Sequence, residues 1–213
     1  MVSTIDHLIV AATTLEEGAQ FVQKALGVAP QPGGKHERMG THNCLLKLGP
    51  ELYLEIIAID PEGKTPSQPR WFDLDSPGMR AELQAGPRLI TWVARTGNIE
   101  QLAAGSSEPL GPIHRMRRGG FAWKITIPDD GHLPGGGLVP TLIEWQGKRH
   151  PADGLADSGC SLQALGGAHG EPDRMRRALA SLDLAGSLPV TYGAGPRLLA
   201  RIATPFGVRT LSS

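Results

Sequence analysis

Two carboxylates sit in places where an apolar strand does not tolerate one cheaply. Glu55 interrupts the run LYLEIIAI at 52–59, and Glu144 interrupts VPTLIEWQ at 139–146. Such a group is costly unless it is paired, protonated or bound to a metal. A third run, Ile5 to Ala11 (IDHLIVA), carries His7. Side chains alternate between the two faces of a strand. His7, Ile9 and Ala11 therefore share one face, and Leu8 and Val10 the other. Tyr53, Glu55 and Ile57 share one face, and Leu54 and Ile56 the other. If Leu8, Val10, Leu54 and Ile56 pack beneath helices, His7 and Glu55 point into a cavity. The same logic turns Glu144 inward with Leu142 and Gln146, and Ile143 and Trp145 away. Glu55 or Glu144 could then act as a general base beside a carbonyl. Imidazole with carboxylates also suits Zn, Ni, Mn or Fe. A structural reading stands beside each: His7 satisfied by Asp6 or solvent, and each glutamate paired with an Arg or Lys.

Other residues could line the same cavity. His42 and Asn43 stand in GTHN, where Asn43 either holds a turn or donates to a ligand. His36 lies in a glycine-rich stretch from which it could reach the cavity mouth. Tyr53 shares the face of Glu55, and Trp92 and Trp123 supply an apolar wall or simply core. The run His114-Arg115-Met116-Arg117-Arg118 reads either as a solvated loop or as an anion-binding one. His114 and His169 fall in loops with no assigned role. No phosphate loop, nucleophile elbow or zinc-protease helix occurs.

These residues must be positioned by short strands. Thr14, with Glu17 three residues on, opens a helix whose apolar face is Leu15, Ala19, Val22 and Leu26, and Gly27 ends it. Pro30 to Gly40 reads as a loop, and strands follow at 41–48 and 52–59. The Pro-rich stretch 61–69 marks a module boundary. Strand, helix and strands then recur at 89–94, after Asn98, at 121–127 and at 139–146. Asn98 and Gln101 form a second capping pair. A third, shorter round starts at Ser161, with Pro172 in the first turn of a helix buried through Met175, Leu179 and Leu182. Strands follow at 190–192, 198–203 and 208–211. The pattern predicts antiparallel-rich sheets with helices on one face. The expected organisation is paired modules within 1–150 (about 3–60 and 88–147) and a C-terminal strand-helix-strand unit at 158–213 on the same domain.

The 213 residues carry 21 Lys+Arg and 21 Asp+Glu, so no basic excess points to nucleic acid. With 40% hydrophobic and 20% charged residues, the chain has the makeup of a globular protein. Cys44 and Cys160 cannot build a disulfide framework and read as buried thiols in a reducing compartment. No secretory signal and no apolar run of about 18 residues is present, so the expectation is a cytoplasmic protein without a membrane partner.

The words IDHLIVAA at 5–12, GTHNCLLKLG at 40–49, YLEIIAID at 53–60, LIEW at 142–145 and RLLARIATPFGVRTLS at 197–212 resemble the vicinal-oxygen-chelate superfamily, in particular its glyoxalase-like branch. The resemblance implies an α+β fold: paired βαβββ modules with curved, mostly antiparallel sheets around a shared cavity, plus the C-terminal partial module. It implies a small-molecule ligand, and a divalent metal held by one residue from the first and last strand of each module. His7, Glu55 and Glu144 match three of those positions. The fourth falls near Thr91, a poor ligand, for which His132 could substitute. Lyase, isomerase and dioxygenase chemistry all occur on this scaffold. So does metal-free binding or sequestering of small molecules, which the missing fourth ligand favours. Pairing of two copies as a homodimer stays open.

Overall fold

The computed structural model describes residues 3–213. Its first module begins with β1 (Thr4–Ala11). Thr14 then accepts a hydrogen bond from the Glu17 N–H and opens α1 (Leu15–Leu26). Gly27, at φ 78°, closes the helix by donating to the Gln23 carbonyl. This left-handed position favours glycine. The chain continues through β2 (Gln31–His36), β3 (Thr41–Gly49) and β4 (Leu52–Ile59). β4 returns parallel to β1, and β3 and β2 extend the sheet outward antiparallel.

A connecting helix, α2 (Pro77–Ala85), is capped by Ser76. The second module repeats the first: β5 (Arg88–Arg95), α3 (Ile99–Gly105), β6 (Ile113–Arg118), β7 (Phe121–Thr126) and β8 (Thr141–Trp145). β8 lies parallel to β5, with β7 and β6 outside it. The modules join where β1 runs antiparallel to β5. The result is one eight-stranded sheet in the order β2-β3-β4-β1-β5-β8-β7-β6, curled into a half-barrel.

Two segments expected as loops are strands. Residues 31–36 form β2, and the basic run at 114–118 belongs to β6. Both are edge strands. Their backbones pair with β3 and β7, while their polar side chains hide the period that marks an inner strand. In β2 the register shifts between Pro32 and Lys35, which accommodates Pro32, Gly33 and Gly34. Asn98 makes no side-chain cap of α3.

The two faces of the half-barrel are packed differently. On the helix side, Leu8, Val10, Leu54 and Ile56 pack with Val22 and Leu26 of α1. The same core takes in Leu165, Met175, Leu179, Leu198, Ile202 and Leu211 of the C-terminal unit. That unit consists of β9 (Ser161–His169), α4 (Pro172–Ser181), β10 (Val190–Tyr192), β11 (Arg197–Thr204) and β12 (Gly207–Ser212), with strand order β10-β9-β11-β12. On the concave side, Ile9, Ala11, Ile57, Val93, Ile125 and Ile143 pack against Trp71, Phe72, Leu74, Met79 and Leu83 from the connection around α2. That segment fills part of the hollow. No helix among the described residues is long and apolar enough to cross a membrane.

Candidate functional site

What remains of the concave hollow is built on a buried acid–base chain. Asp6, His7 and Glu55 are 0%, 4% and 5% exposed. The pairing of β1 with β5 shifts register between Ile5 and His7, so Asp6 is an extra residue in the strand. Such a bulge re-aims a side chain, and Asp6 turns to its own neighbour. His7 Nδ1 lies 2.6 Å from Asp6 Oδ1, and His7 Nε2 lies 3.3 Å from Glu55 Oε2. Both ring nitrogens thus face carboxylates, an arrangement that favours an imidazolium, which has a donor on each nitrogen. The Tyr53 ring stacks on it at 4.5 Å. The second Asp6 oxygen accepts from Trp145 Nε1 at 2.9 Å and from His150 Nε2 at 3.1 Å. His150 Nδ1 accepts from the Ala152 N–H, which fixes its tautomer.

Burial by itself would push both acids up and His7 down. Their mutual bonds outweigh it. Hydrogen bonds from His150 and His7 hold the Asp6 carboxyl below the usual carboxylate range. Asp6 and Glu55 raise His7 to about 9, against the burial that lowers it. His7, with His36 and Asn43, brings Glu55 down to about 2 despite its burial. At neutral pH the chain is carboxylate, imidazolium, carboxylate.

Asn43 aims Glu55. Its Nδ2 donates to Glu55 Oε1 at 2.6 Å, and its Oδ1 accepts from the Gly34 N–H at 2.8 Å. A Cβ at Gly33 would stand 2.1 Å from Asn43 Oδ1, so this approach needs a glycine there. Arg118, from the far edge of the sheet, closes the mouth. Its Nη1 donates to His36 Nε2 at 2.9 Å and to Asn43 Oδ1 at 3.3 Å. His36 is therefore neutral, and its Nδ1 can donate to Thr41 Oγ1 at 3.1 Å. Burial, together with the charge of Arg118, keeps it uncharged by lowering it to about 4, although Glu55 pulls the other way.

The inner cavity has a volume of about 30 Å³. Its wall includes His7, His36, Asn43, Tyr53, Glu55 and Arg118, and the rings of Trp71, Phe72, Trp123 and Trp145. Phe72 and Asp73 stand at φ 59° and 60°, left-handed conformations that cost energy and cluster at functional sites. The Trp71 Nε1–H is buried without a partner among the described residues.

Of the sequence-derived candidates, the structure brings together His7, Glu55, Asn43, Tyr53, His36 and Trp123. It does not bring in Glu144, Trp92 or His42. Glu144 lies on the opposite face of β8, where Lys124 Nζ meets Oε1 at 2.8 Å and the Ile99 N–H donates to Oε2 at 3.1 Å. It is an ion-paired cap of α3, and Ile143 and Trp145 face the cavity instead. Trp92 is fully buried in the helix-side core and donates to the Leu138 carbonyl. Alternation sends His42 to the face of β3 opposite Thr41 and Asn43. Thr91 donates to the Gly137 carbonyl, and His132 pairs with Asp130 in its own loop. Cys160 is buried and Cys44 only partly so.

His7, Glu55 and Glu144 therefore do not form a ligand set, because the third is on the wrong face and His7 spends both nitrogens on carboxylates. Among the described residues, no group of three or more His, Cys, Asp or Glu is arranged to hold a metal ion. Arg118, Asp6 as a hub, and His150 were not anticipated as site residues. One signal for Arg118 was available: Met116 is the apolar residue of the basic run, and Arg118 shares its phase.

A family model described as a glyoxalase-like domain matches residues 5–182. No curated protein matches the chain. Among solved structures, the fold is similar to that of a hypothetical protein from Staphylococcus aureus, with TM-score 0.62 and 12% identity over 92% of this chain and 88% of the other. Methylmalonyl-CoA epimerase from Mycobacterium tuberculosis aligns at TM-score 0.43 and 16% identity, over 68% of this chain and 88% of its own. The Streptomyces coelicolor epimerase in complex with 2-nitronate-propionyl-CoA aligns at TM-score 0.43 and 17% identity, over 71% of this chain and 100% of its own.

Proposed function

The chain belongs to the family of glyoxalase-like domain proteins of the vicinal-oxygen-chelate class, and from that premise we propose that it acts on a small oxygenated metabolite by proton transfer at Glu55. The observation that carries this reading is a single one. Glu55 is a buried carboxyl on the wall of a small cavity, aimed by Asn43 and paired with His7, and these partners favour its ionised form.

A general base must be ionised, oriented and within reach of the proton it takes. The first two conditions are met before any ligand arrives. Glu55 would take a proton from the carbon beside a carbonyl and return it to the same or the neighbouring carbon. As a free-standing base, a carboxyl at about 2 is weak. A ligand that displaces the Asn43 amide or loosens the His7 contact strengthens it, because each of those bonds favours the anion. The unpartnered Trp71 N–H supplies a donor for a ligand oxygen.

A second reading, binding without chemistry, is favoured by one observation: both Glu55 oxygens already have partners. The two readings separate in heavy water. Small 2-oxo acids and 1,3-dicarbonyl compounds are incubated with the protein, and deuterium entering the carbon beside the carbonyl is read by mass spectrometry. Proton transfer predicts incorporation that falls about 100-fold or more in Glu55→Gln. No incorporation with any member, or equal incorporation by the variant, would overturn it.

A further inference from the structure

A larger hollow, about 340 Å³, lies outside the inner cavity, between the two free edges of the eight-stranded sheet. This volume is within the range of small-molecule sites. One wall runs from Lys35 to Arg38 at the end of β2, and the other from Arg115 to Gly119 at the end of β6. His36, Arg118 and Trp123 line both this hollow and the inner cavity. A ligand seated outside would therefore touch the residues that guard Glu55.

Cationic side chains outnumber acids in the wall of the hollow. Lys35 is neutralised by Asp60 and Glu62, and Glu37 is the one acid in the wall. Among the described residues, Arg38, Arg115, Arg117 and Arg118 have no carboxylate partner. Arg38 instead bridges the edges through His114 Nδ1 and the Arg115 carbonyl. Arg118 spends Nη1 on two neutral groups, His36 and Asn43. Its Nε and Nη2 bond no described residue. Those two N–H groups share one edge of the guanidinium, the fork that matches two oxygens of a carboxylate or phosphate. Arg38 and Arg118 stand at the two edges of this hollow without a carboxylate partner, Arg115 and Arg117 lie on the exposed face of β6 beside them, and an anion between the edges would offset this positive charge.

We propose that this outer hollow binds an anionic group, carboxylate or phosphate, with Arg118 as its anchor. The proposal rests on the reading above only in taking this anion as part of the ligand whose reacting end reaches Glu55. The substrate class is then an anionic oxygenated metabolite.

The full chain is titrated with sodium malonate, inorganic phosphate and uncharged malonamide. Tryptophan fluorescence reports binding, because Trp123 stands in the wall. Saturable binding of malonate alone assigns a carboxylate; of phosphate alone, a phosphoryl group; either supports the proposal. Arg118→Ala should weaken it about tenfold or more, Arg118→Lys should restore part, and Arg201→Ala in the distant C-terminal sheet should change nothing. Arg115→Glu, on the exposed side of β6, is a second variant that should also weaken binding. Failure of both anions to saturate, equal binding of malonamide, or full affinity in Arg118→Ala overturns the proposal. Glu55→Gln should still bind. Arg118-dependent binding without deuterium incorporation would remove the proton-transfer reading and leave the anion site. Incorporation with Arg118-independent binding would do the reverse.

Discussion

Glu55 and Glu144 stand on corresponding strands, β4 and β8, in two copies of one βαβββ unit, yet they face opposite sides of the sheet. Glu55 is buried between an imidazolium and an amide. Glu144 has a side chain 15% exposed, ties Lys124 to its own strand and caps α3. Repetition of a backbone does not repeat an environment. A carboxylate can face the hollow only where partners for it are built in, and the first module holds them all: His7, Asn43 and, through His7, Asp6. The second module contributes a wall of rings and one arginine. The two halves differ in role because burying one charge demands a chain of others.

The difference between the two halves is most exposed to test at Asp6. Asp6→Ala leaves the His7 imidazolium, the His150 N–H and the Trp145 N–H facing empty space. Removing one partner of a buried ion pair costs about 3–5 kcal/mol, and urea unfolding should show a loss of that order. A loss near that of an exposed charge would mean the chain is not the keystone of the first module.

The next effect is a pH dependence. His7 is raised from 6.5 to about 9 in the folded protein. Its contribution is fully present below the unfolded value and is lost as pH rises through about 9. The integrated loss is on the order of 3 kcal/mol. Unfolding free energy measured from pH 6 upward should therefore fall in the wild type, and the fall should be absent in His7→Gln. At the acid end the sign reverses. Glu55, lowered from 4.5 to about 2, stabilises the fold above 4.5 and ceases to do so as pH drops toward about 2.

Smaller again is Gly33→Ala, whose new methyl meets Asn43 Oδ1 and must push it off Glu55. Overpacking of this kind costs about 1–3 kcal/mol, and deuterium incorporation should fall with it. Smallest is Glu144→Gln. A partly exposed ion pair and a helix cap together predict about 1 kcal/mol of stability. Anion binding and deuterium incorporation should be unchanged. A large loss of either in this variant would return Glu144 to the site.

The repeat and the inward phase of His7 and Glu55 were legible because Leu8, Val10, Leu54 and Ile56 fix which face is covered by helices. Glu144 was not. Leu142, Ile143 and Trp145 are all apolar, so alternation in β8 has no phase of its own, and the choice rested on analogy with β4. Trp92 failed for a similar reason, since a large apolar ring fits either face. Arg118 was hidden in a basic run that looks solvated, on an edge strand that looks like a loop. The hub role of Asp6 depends on a bulge, and His150 on a turn brought back from beyond the second module. Neither follows from strand periodicity, although Asp6 was already a candidate partner for His7.

The charge of Glu55 depends on the protonation of one ring. Nitrogen-15 chemical shifts of His7, assigned by comparison with His7→Gln, read it directly. A doubly protonated imidazolium at neutral pH, losing its proton near about 9 and at lower pH in Glu55→Gln, is the predicted result. One protonated and one bare nitrogen at neutral pH would contradict it, for then Glu55 has no cation beside it and the first module holds no poised base.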